Sequence, residues 1–338
     1  MSQEMAEMPD NFPDLLSHYR DLAAAAQHLA GRVVRTPLLE APALNARLGY
    51  RLLVKAESLQ RTGSFKFRGA LYRLLLLDAA ARRRGVVAFS SGNHAQGVAC
   101  AAALLGMNAT IIMPADAPAI KIANTRGYGA AVVLYDRARD DREAIGARLA
   151  AEQGATLVKP YDDAIVLAGQ GTAALEALED AAGLGVTLDA MLAPASGGGL
   201  IAGCALACAG FNPAIRVYAA EPVGLDDHVR SLALGARVAN PPTARSICDA
   251  LQAAMPGEVT FPINRRLLAG ALTVSDDEVR QAMRAAFAEL KLVLEPSGAA
   301  ALAAALAGRI PGPNQAVCVI ASGGNVDPAF FAEVLTGA

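Results

Sequence analysis

Short apolar runs alternate with helical stretches along this chain, and that alternation limits the fold more than any other feature. From Val86 the pattern reads Val-Val-Ala-Phe, a glycine-containing turn, a helix over Val98 to Leu105, a strand over Ala109 to Met113, and Pro114. A helix over Ala117 to Tyr128, a strand over Ala131 to Tyr135, a helix over Asp140 to Glu152 and a short strand over Thr156 to Val158 complete a βαβ unit. The second half repeats the rhythm with a helix over Gln170 to Ala182, a strand over Ala190 to Ala193, a helix over Leu200 to Ala209 and a strand over Arg216 to Ala220. Strands that are apolar at nearly every position need cover on both faces, which selects parallel sheets. The expected fold is α/β, with two open, mostly parallel sheets and helices on both faces. Residues 86–158 read as a small mobile domain inserted into a large one made of 1–85 and 159–338.

The remaining elements follow from local signals. A first helix is expected over Leu15 to Leu29 and a strand over Arg51 to Ala56. Between Asn240 and Ile263 the prolines Pro241, Pro242, Pro256 and Pro262 suggest surface excursions around one helix near Arg245 to Ala254. Ser275 followed by Glu278 is a capping box opening a helix to about Leu290, and a further helix spans Ala299 to Leu306. The last strand is Val317 to Ala321.

Composition excludes several functions. With net charge −2, no long basic run and 18% charged residues, there is no electrostatic case for nucleic acid or an anionic membrane. No apolar run reaches the roughly 20 residues of a membrane span, and Glu4, Glu7, Asp10 and Asp14 replace the basic start of a signal peptide. A cytoplasmic protein with a small-molecule partner is expected. Cys100, Cys204, Cys208, Cys248 and Cys318 form no Cys-x-x-Cys pair and read as reduced core residues; Cys204 and Cys208 share a helix face without further metal ligands at matching spacing.

In open parallel sheets the ligand lies beyond the carboxyl ends of the strands, which directs attention to three turns of similar chemistry. These are Ser90-Ser91-Gly92-Asn93-His94, Ser196-Gly197-Gly198-Gly199 and Ser322-Gly323-Gly324-Asn325. The triple glycine leaves backbone N–H groups open at a helix start and could hold a phosphate, although a plain tight turn accounts for it equally well. A fourth stretch, Ser64-Phe65-Lys66-Phe67-Arg68-Gly69-Ala70, sets one lysine between two aromatics at the start of a helix. Desolvation and the helix dipole would both lower its pKa and favour a neutral amine able to form a Schiff base. A surface lysine snorkelling past apolar neighbours is the competing account. Glu221 and Asp227, with the Leu225 carbonyl between them, could offer hard oxygen ligands to Mg²⁺ or Ca²⁺, or form a solvated acidic turn.

Taken together, Ser-Phe-Lys-Phe-Arg-Gly-Ala, Ser-Ser-Gly-Asn-His-Ala-Gln-Gly, Ser-Gly-Gly-Gly-Leu-Ile-Ala-Gly and Ser-Gly-Gly-Asn resemble the pyridoxal-phosphate enzymes of the tryptophan-synthase-β type, fold-type II. Within these the chain is most similar to the threonine/serine dehydratase and serine racemase group, from about Arg35 to Asp327. The resemblance implies that Lys66 carries pyridoxal 5'-phosphate and acts as base at Cα. It implies that Phe65 borders the ring, Asn93 bonds the ring hydroxyl, and Gly197, Gly198, Gly199 and Leu200 take the phosphate. Ser322 would face the pyridine nitrogen, leaving it largely neutral, a state better suited to elimination than to transamination. Ser91, Gly92, Asn93 and His94 would grip the substrate carboxylate. His94 reads more readily as ordering its turn than as an acid or base, and Glu295 lies near the cofactor in this group. Glu221, Leu225 and Asp227 match the racemase group's divalent-metal ligands.

The implied reaction is dehydration and deamination of a β-hydroxy amino acid to a 2-oxo acid and ammonia, in a homodimer. Ser196 stands where a fourth glycine is common, and Cys248-Asp249-Ala250 replaces a usual Ala-Asp-Gly. Together with the unusual run Pro256 to Phe261, these departures leave L-threonine, L-serine, a hydroxyaspartate and a β-aryl serine as candidate substrates. Because the chain ends soon after the last motif, no regulatory domain is expected. The alternative reading is a racemase, with Ser91 as a second acid/base opposite Lys66.

Overall fold

The computed structural model describes residues 15–337. Glu4, Glu7, Asp10 and Asp14 lie outside the described residues. The strands are β1 (Leu38–Glu40), β2 (Arg51–Ala56), β3 (Val86–Phe89), β4 (Ala109–Pro114), β5 (Ala131–Tyr135), β6 (Thr156–Val158), β7 (Ala190–Pro194), β8 (Arg216–Pro222), β9 (Gly270–Val274) and β10 (Ala316–Ala321). They form a six-stranded sheet in the order β1-β2-β10-β7-β8-β9 and a four-stranded sheet in the order β5-β4-β3-β6. Only the β1–β2 pair is antiparallel; the other neighbours run parallel. The central strands β3, β7 and β10 are buried along their whole length, as expected for a sheet covered on both faces.

Three helices, Lys66–Leu75, Ala164–Gly183 and Gly199–Phe211, pack at unusually short range. A Cβ on Gly171 would come within 2.9 Å of the Gly203 carbonyl, and one on Gly169 within 2.6 Å of the Gly69 Cα. Glycine at these crossings lets the helix backbones touch. It also fixes the start of the Lys66 helix relative to the start of the glycine-run helix.

Two local expectations fail. No helix covers Arg245 to Ala254; that stretch is irregular apart from one 3₁₀ turn at Asp249–Leu251. A helix instead spans Thr260–Leu267, with Pro262 in its first turn, where its missing N–H costs nothing. Several helices begin earlier than their apolar pattern suggests: Asn93 rather than Val98, Ala164 rather than Gln170, and Pro296 rather than Ala299. In the second case Asp163 caps the helix, its side chain accepting from Ile165 and Val166 N–H.

Candidate active site

The carboxyl ends of β3, β7 and β10 open on one cavity between the two sheets. Lys66 reaches it from the start of its helix. The preceding turn is wound by Thr62 and Gly63, both left-handed with φ of 56° and 69°. A Cβ on Gly63 would sit 2.6 Å from Asn325 Oδ1, so the turn needs glycine there. Asn325 Nδ2 donates to the Thr62 carbonyl at 2.7 Å, and Phe65 N–H donates to the Ser322 carbonyl at 3.1 Å. Two residues beyond Lys66, the fully buried Arg68 makes a bidentate pair with Glu57, both bonds 2.8 Å, and a second with Glu176. A buried guanidinium with every donor directed in this way locks the helix start.

The Lys66 ammonium donates to the Pro160 carbonyl at 2.7 Å and lies 5.1 Å from the centre of the Phe65 ring. Burial pulls its pKa down to about 8. Half-buried and bonded to a backbone carbonyl, it does not fit the solvated-surface account, and an amine of that pKa can serve as nucleophile or base close to neutral pH.

The turn after β3 brings Ser91, Asn93 and His94 to the cavity wall. Asn93 and His94 belong to the first turn of the helix Asn93–Leu104, with Gly92 before it. Asn93 Nδ2 donates to Glu295 Oε1, and its Oδ1 accepts from Asn325 Nδ2 at 2.9 Å. His94 Nε2 lies 3.1 Å from the Val158 carbonyl, so that nitrogen carries the proton and Nδ1 is left as a buried acceptor without a partner. Desolvation and the Lys66 charge lower its pKa to about 3, holding it neutral. Gly92 lies under Lys121, whose Cδ would be 2.3 Å from a Cβ. The Lys121 ammonium is 2.8 Å from Asp249 and 3.1 Å from Glu295, and burial raises the Glu295 carboxyl above its usual range against the pull of Lys121.

The turn after β7 has the form of an anion cradle. Gly198 has φ +91°, and a Cβ there would meet Asn264 Nδ2 at 2.6 Å and His228 Nε2 at 2.8 Å; one on Gly197 would enter the Tyr161 ring. Among the described residues, no protein group accepts from the N–H groups of Gly197, Gly198, Gly199 or Leu200, all of which line the cavity. Free N–H groups at the start of the helix Gly199–Phe211 suit a phosphate. Ser322, 5% exposed, sits in the cavity wall after β10. A nucleophilic lysine, an anion cradle and a hydroxyl facing one cavity fit pyridoxal phosphate at both of its ends.

Glu221 and Asp227 lie outside this cavity. With His228 they form a buried cluster whose ligand atoms all fall within 4.8 Å of one another, behind Gly198. Glu221 Oε1 accepts from His228 N–H and Nδ1 at 3.0 Å, and its Oε2 from Val229 N–H at 3.1 Å. Asp227 Oδ2 is buried without a donor, and burial beside Glu221 pushes this carboxyl up. Leu225 stands between them in the chain, its N–H donating to Pro222. Asp249, in the Cys248-Asp249-Ala250 departure, also lines the cavity, as do Lys121, Arg137, Arg142 and Tyr161, which no motif in the sequence marks. Cys204, Cys208, Cys248 and Cys318 are buried and Cys100 is half-buried.

Comparison with known proteins agrees with this geometry. The family model described as "Pyridoxal-phosphate dependent enzyme" matches residues 29–323. The L-threo-3-hydroxyaspartate ammonia-lyase of Pseudomonas sp is 47% identical over 95% of this chain and 99% of its own. The serine racemase of Schizosaccharomyces pombe is 40% identical over 97% of this chain and 100% of its own. The crystal structure of the T.th. threonine deaminase superposes with a TM-score of 0.85, at 46% identity over 91% of this chain and 98% of that one.

Proposed function

Since the chain belongs to the pyridoxal-phosphate dependent enzyme family, we propose that it is an ammonia-lyase for β-hydroxy amino acids, with L-threo-3-hydroxyaspartate as the foremost substrate and L-threonine and L-serine as lesser ones. The observation that carries this reading is Lys66, a half-buried amine in one cavity with four unpartnered N–H groups. Gly197, Gly198, Gly199 and Leu200 would hold the cofactor phosphate, Lys66 would hold its carbonyl carbon, Phe65 would border one ring face and Asn93 would bond the ring hydroxyl. When bound, the cofactor would supply an electron-withdrawing group that makes the substrate's Cα proton more acidic.

Ser91, Gly92, Asn93 and His94 receive the substrate carboxylate on the hydroxyl and the N–H groups of their turn. Lys66 Nζ takes the Cα proton, and the β-hydroxyl leaves as water after protonation. The released enamine then tautomerises and is hydrolysed, so the net change is amino acid to 2-oxo acid and ammonia. Ser322 supplies a neutral hydroxyl where a carboxylate would hold a pyridine proton, which favours prompt loss of the β-hydroxyl over transamination. The segment 86–158 would close as a unit over the substrate and exclude water. The same reading places a divalent cation, Mg²⁺ or Ca²⁺, at Glu221, the Leu225 carbonyl and Asp227, where Asp227 Oδ2 lacks a donor. It makes the protein a cytoplasmic homodimer; among the described residues no helix is long and apolar enough to cross a membrane.

A racemase remains the second reading because Ser91 lines the cavity with Lys66 and offers a second proton carrier. The Lys66→Ala variant tests the main one. It should retain no release of 2-oxo acid above background while folding normally by circular dichroism, and measurable turnover would overturn the assignment.

A further inference from the structure

The charge of the cavity wall is uneven. Its lining includes the cations Lys66, Lys121, Arg137 and Arg142 against the carboxylates Asp249 and Glu295. Lys121 sits between those two carboxylates, which leaves the arginines as a positive end supplied by the four-stranded sheet. Arg142 is the first residue of the helix Arg142–Gln153, a position where a cation opposes the helix dipole. No carboxylate among the described residues pairs with it. Asp141 is occupied in capping that helix, Asp140 accepts from the Asp136 N–H, and the partner of the Arg142 guanidinium is the Phe89 ring, 5.4 Å away. Arg137 is held by Asp116, but through Nε alone at 2.7 Å, which leaves its two terminal nitrogens available. Arg142 lines the same cavity as Tyr161 and as Pro160, whose carbonyl accepts from the Lys66 ammonium.

From this arrangement we infer that Arg142, aided by Arg137, binds a second carboxylate on the substrate's β-carbon and so selects β-hydroxy dicarboxylic amino acids over serine and threonine. The inference rests on the ammonia-lyase reading and deepens it. An unpaired guanidinium braced on an aromatic face, at a site open to a ligand, has its fork free for bidentate carboxylate binding. The substrate's α-carboxylate goes to the Ser91–His94 turn and the β-carboxylate to the arginines, so the two anionic ends are read by different elements. Serine and threonine lack the second anion and leave the arginines unsatisfied.

Two measurements on the holoenzyme test this. The first is the ratio of kcat/KM for L-threo-3-hydroxyaspartate to that for L-serine, in wild type, Arg142→Gln, Arg142→Lys and Arg137→Gln. Loss of a charge-assisted fork should lower that ratio roughly 30- to 100-fold in Arg142→Gln. Arg142→Lys should fall between that variant and wild type, and Arg137→Gln should lose less than Arg142→Gln. The second is isothermal titration with succinate and with propionate, which reads the site without turnover. Succinate should bind wild type about tenfold or more tightly than propionate, and Arg142→Gln should remove the difference. A selectivity ratio and a succinate preference unchanged in Arg142→Gln would overturn the inference and leave the ammonia-lyase reading standing. A wild type that releases oxo acid from no β-hydroxy amino acid would defeat that reading instead, while the succinate titration still decides whether the arginines bind a second carboxylate.

Discussion

Lys66 Nζ donates to the Pro160 carbonyl at 2.7 Å, joining the helix that starts at Lys66 to the chain that leaves β6. The Pro160 carbonyl accepts a hydrogen bond from the amine, yet burial prevails and lowers the pKa to about 8. A lysine whose folded pKa lies below its unfolded value binds fewer protons when folded, so its burial costs stability below about pH 8, and that cost fades as pH rises toward 10.5. In cofactor-free protein, competitive acylation of Lys66 with a small reagent, read by peptide mass, should show a midpoint near pH 8. A midpoint near 10.5 would mean that the amine is solvated.

Gly198→Ala introduces a side chain at φ +91° and 2.6 Å from Asn264 Nδ2. Strain and overpacking should together cost roughly 2–4 kcal/mol in urea unfolding. The variant should also lose most of the preference for pyridoxal phosphate over pyridoxal, measured by equilibrium dialysis. An intact preference would show that the phosphate is held elsewhere.

Lys121→Met should leave Glu295 buried with Asn93 as its remaining side-chain partner. Breaking a buried pair on one side costs roughly 3–5 kcal/mol. The sign with pH follows from the raised Glu295 carboxyl: the folded state binds its proton at higher pH than the unfolded state, so the variant regains stability as pH falls through that carboxyl's folded pKa. Urea unfolding at pH 8 and pH 5 checks this, and a loss equal at both values would contradict it.

Much of the site was legible because its parts are short-range. A run of glycines after a strand, a lysine after a glycine turn and a serine-asparagine turn each encode their own backbone geometry. What could not be read depends on distant partners. Lys121 meets Glu295 across 174 residues of chain and Asp249 across 128. Nothing in the sequence around Arg142, in the run Asp140-Asp141-Arg142-Glu143, sets it apart from its charged neighbours. The helix Thr260–Leu267 was hidden by Pro262, which punctuates most patterns but sits harmlessly in a first turn. Strand β9 escaped because it is an edge strand, largely half-buried, without the apolar run of the central strands.

Ser91→Ala should separate the two reactions open to this site. If Ser91 returns a proton to the face opposite Lys66, its loss should lower the ratio of D-isomer to 2-oxo acid from L-serine by about 10²-fold or more. A ratio unchanged in the variant would remove Ser91 from any isomerising role.

In the proposed reaction Lys66 removes a Cα proton so that a β-hydroxyl can leave. The most direct measurement incubates the holoenzyme with L-threo-3-hydroxyaspartate, L-threonine and L-serine, and follows ammonia, 2-oxo acid and D-isomer over time. Ammonia and 2-oxo acid should appear in equal amounts and outpace D-isomer, fastest with the hydroxyaspartate. D-isomer forming faster than oxo acid would rule out an ammonia-lyase and identify the chain as a racemase.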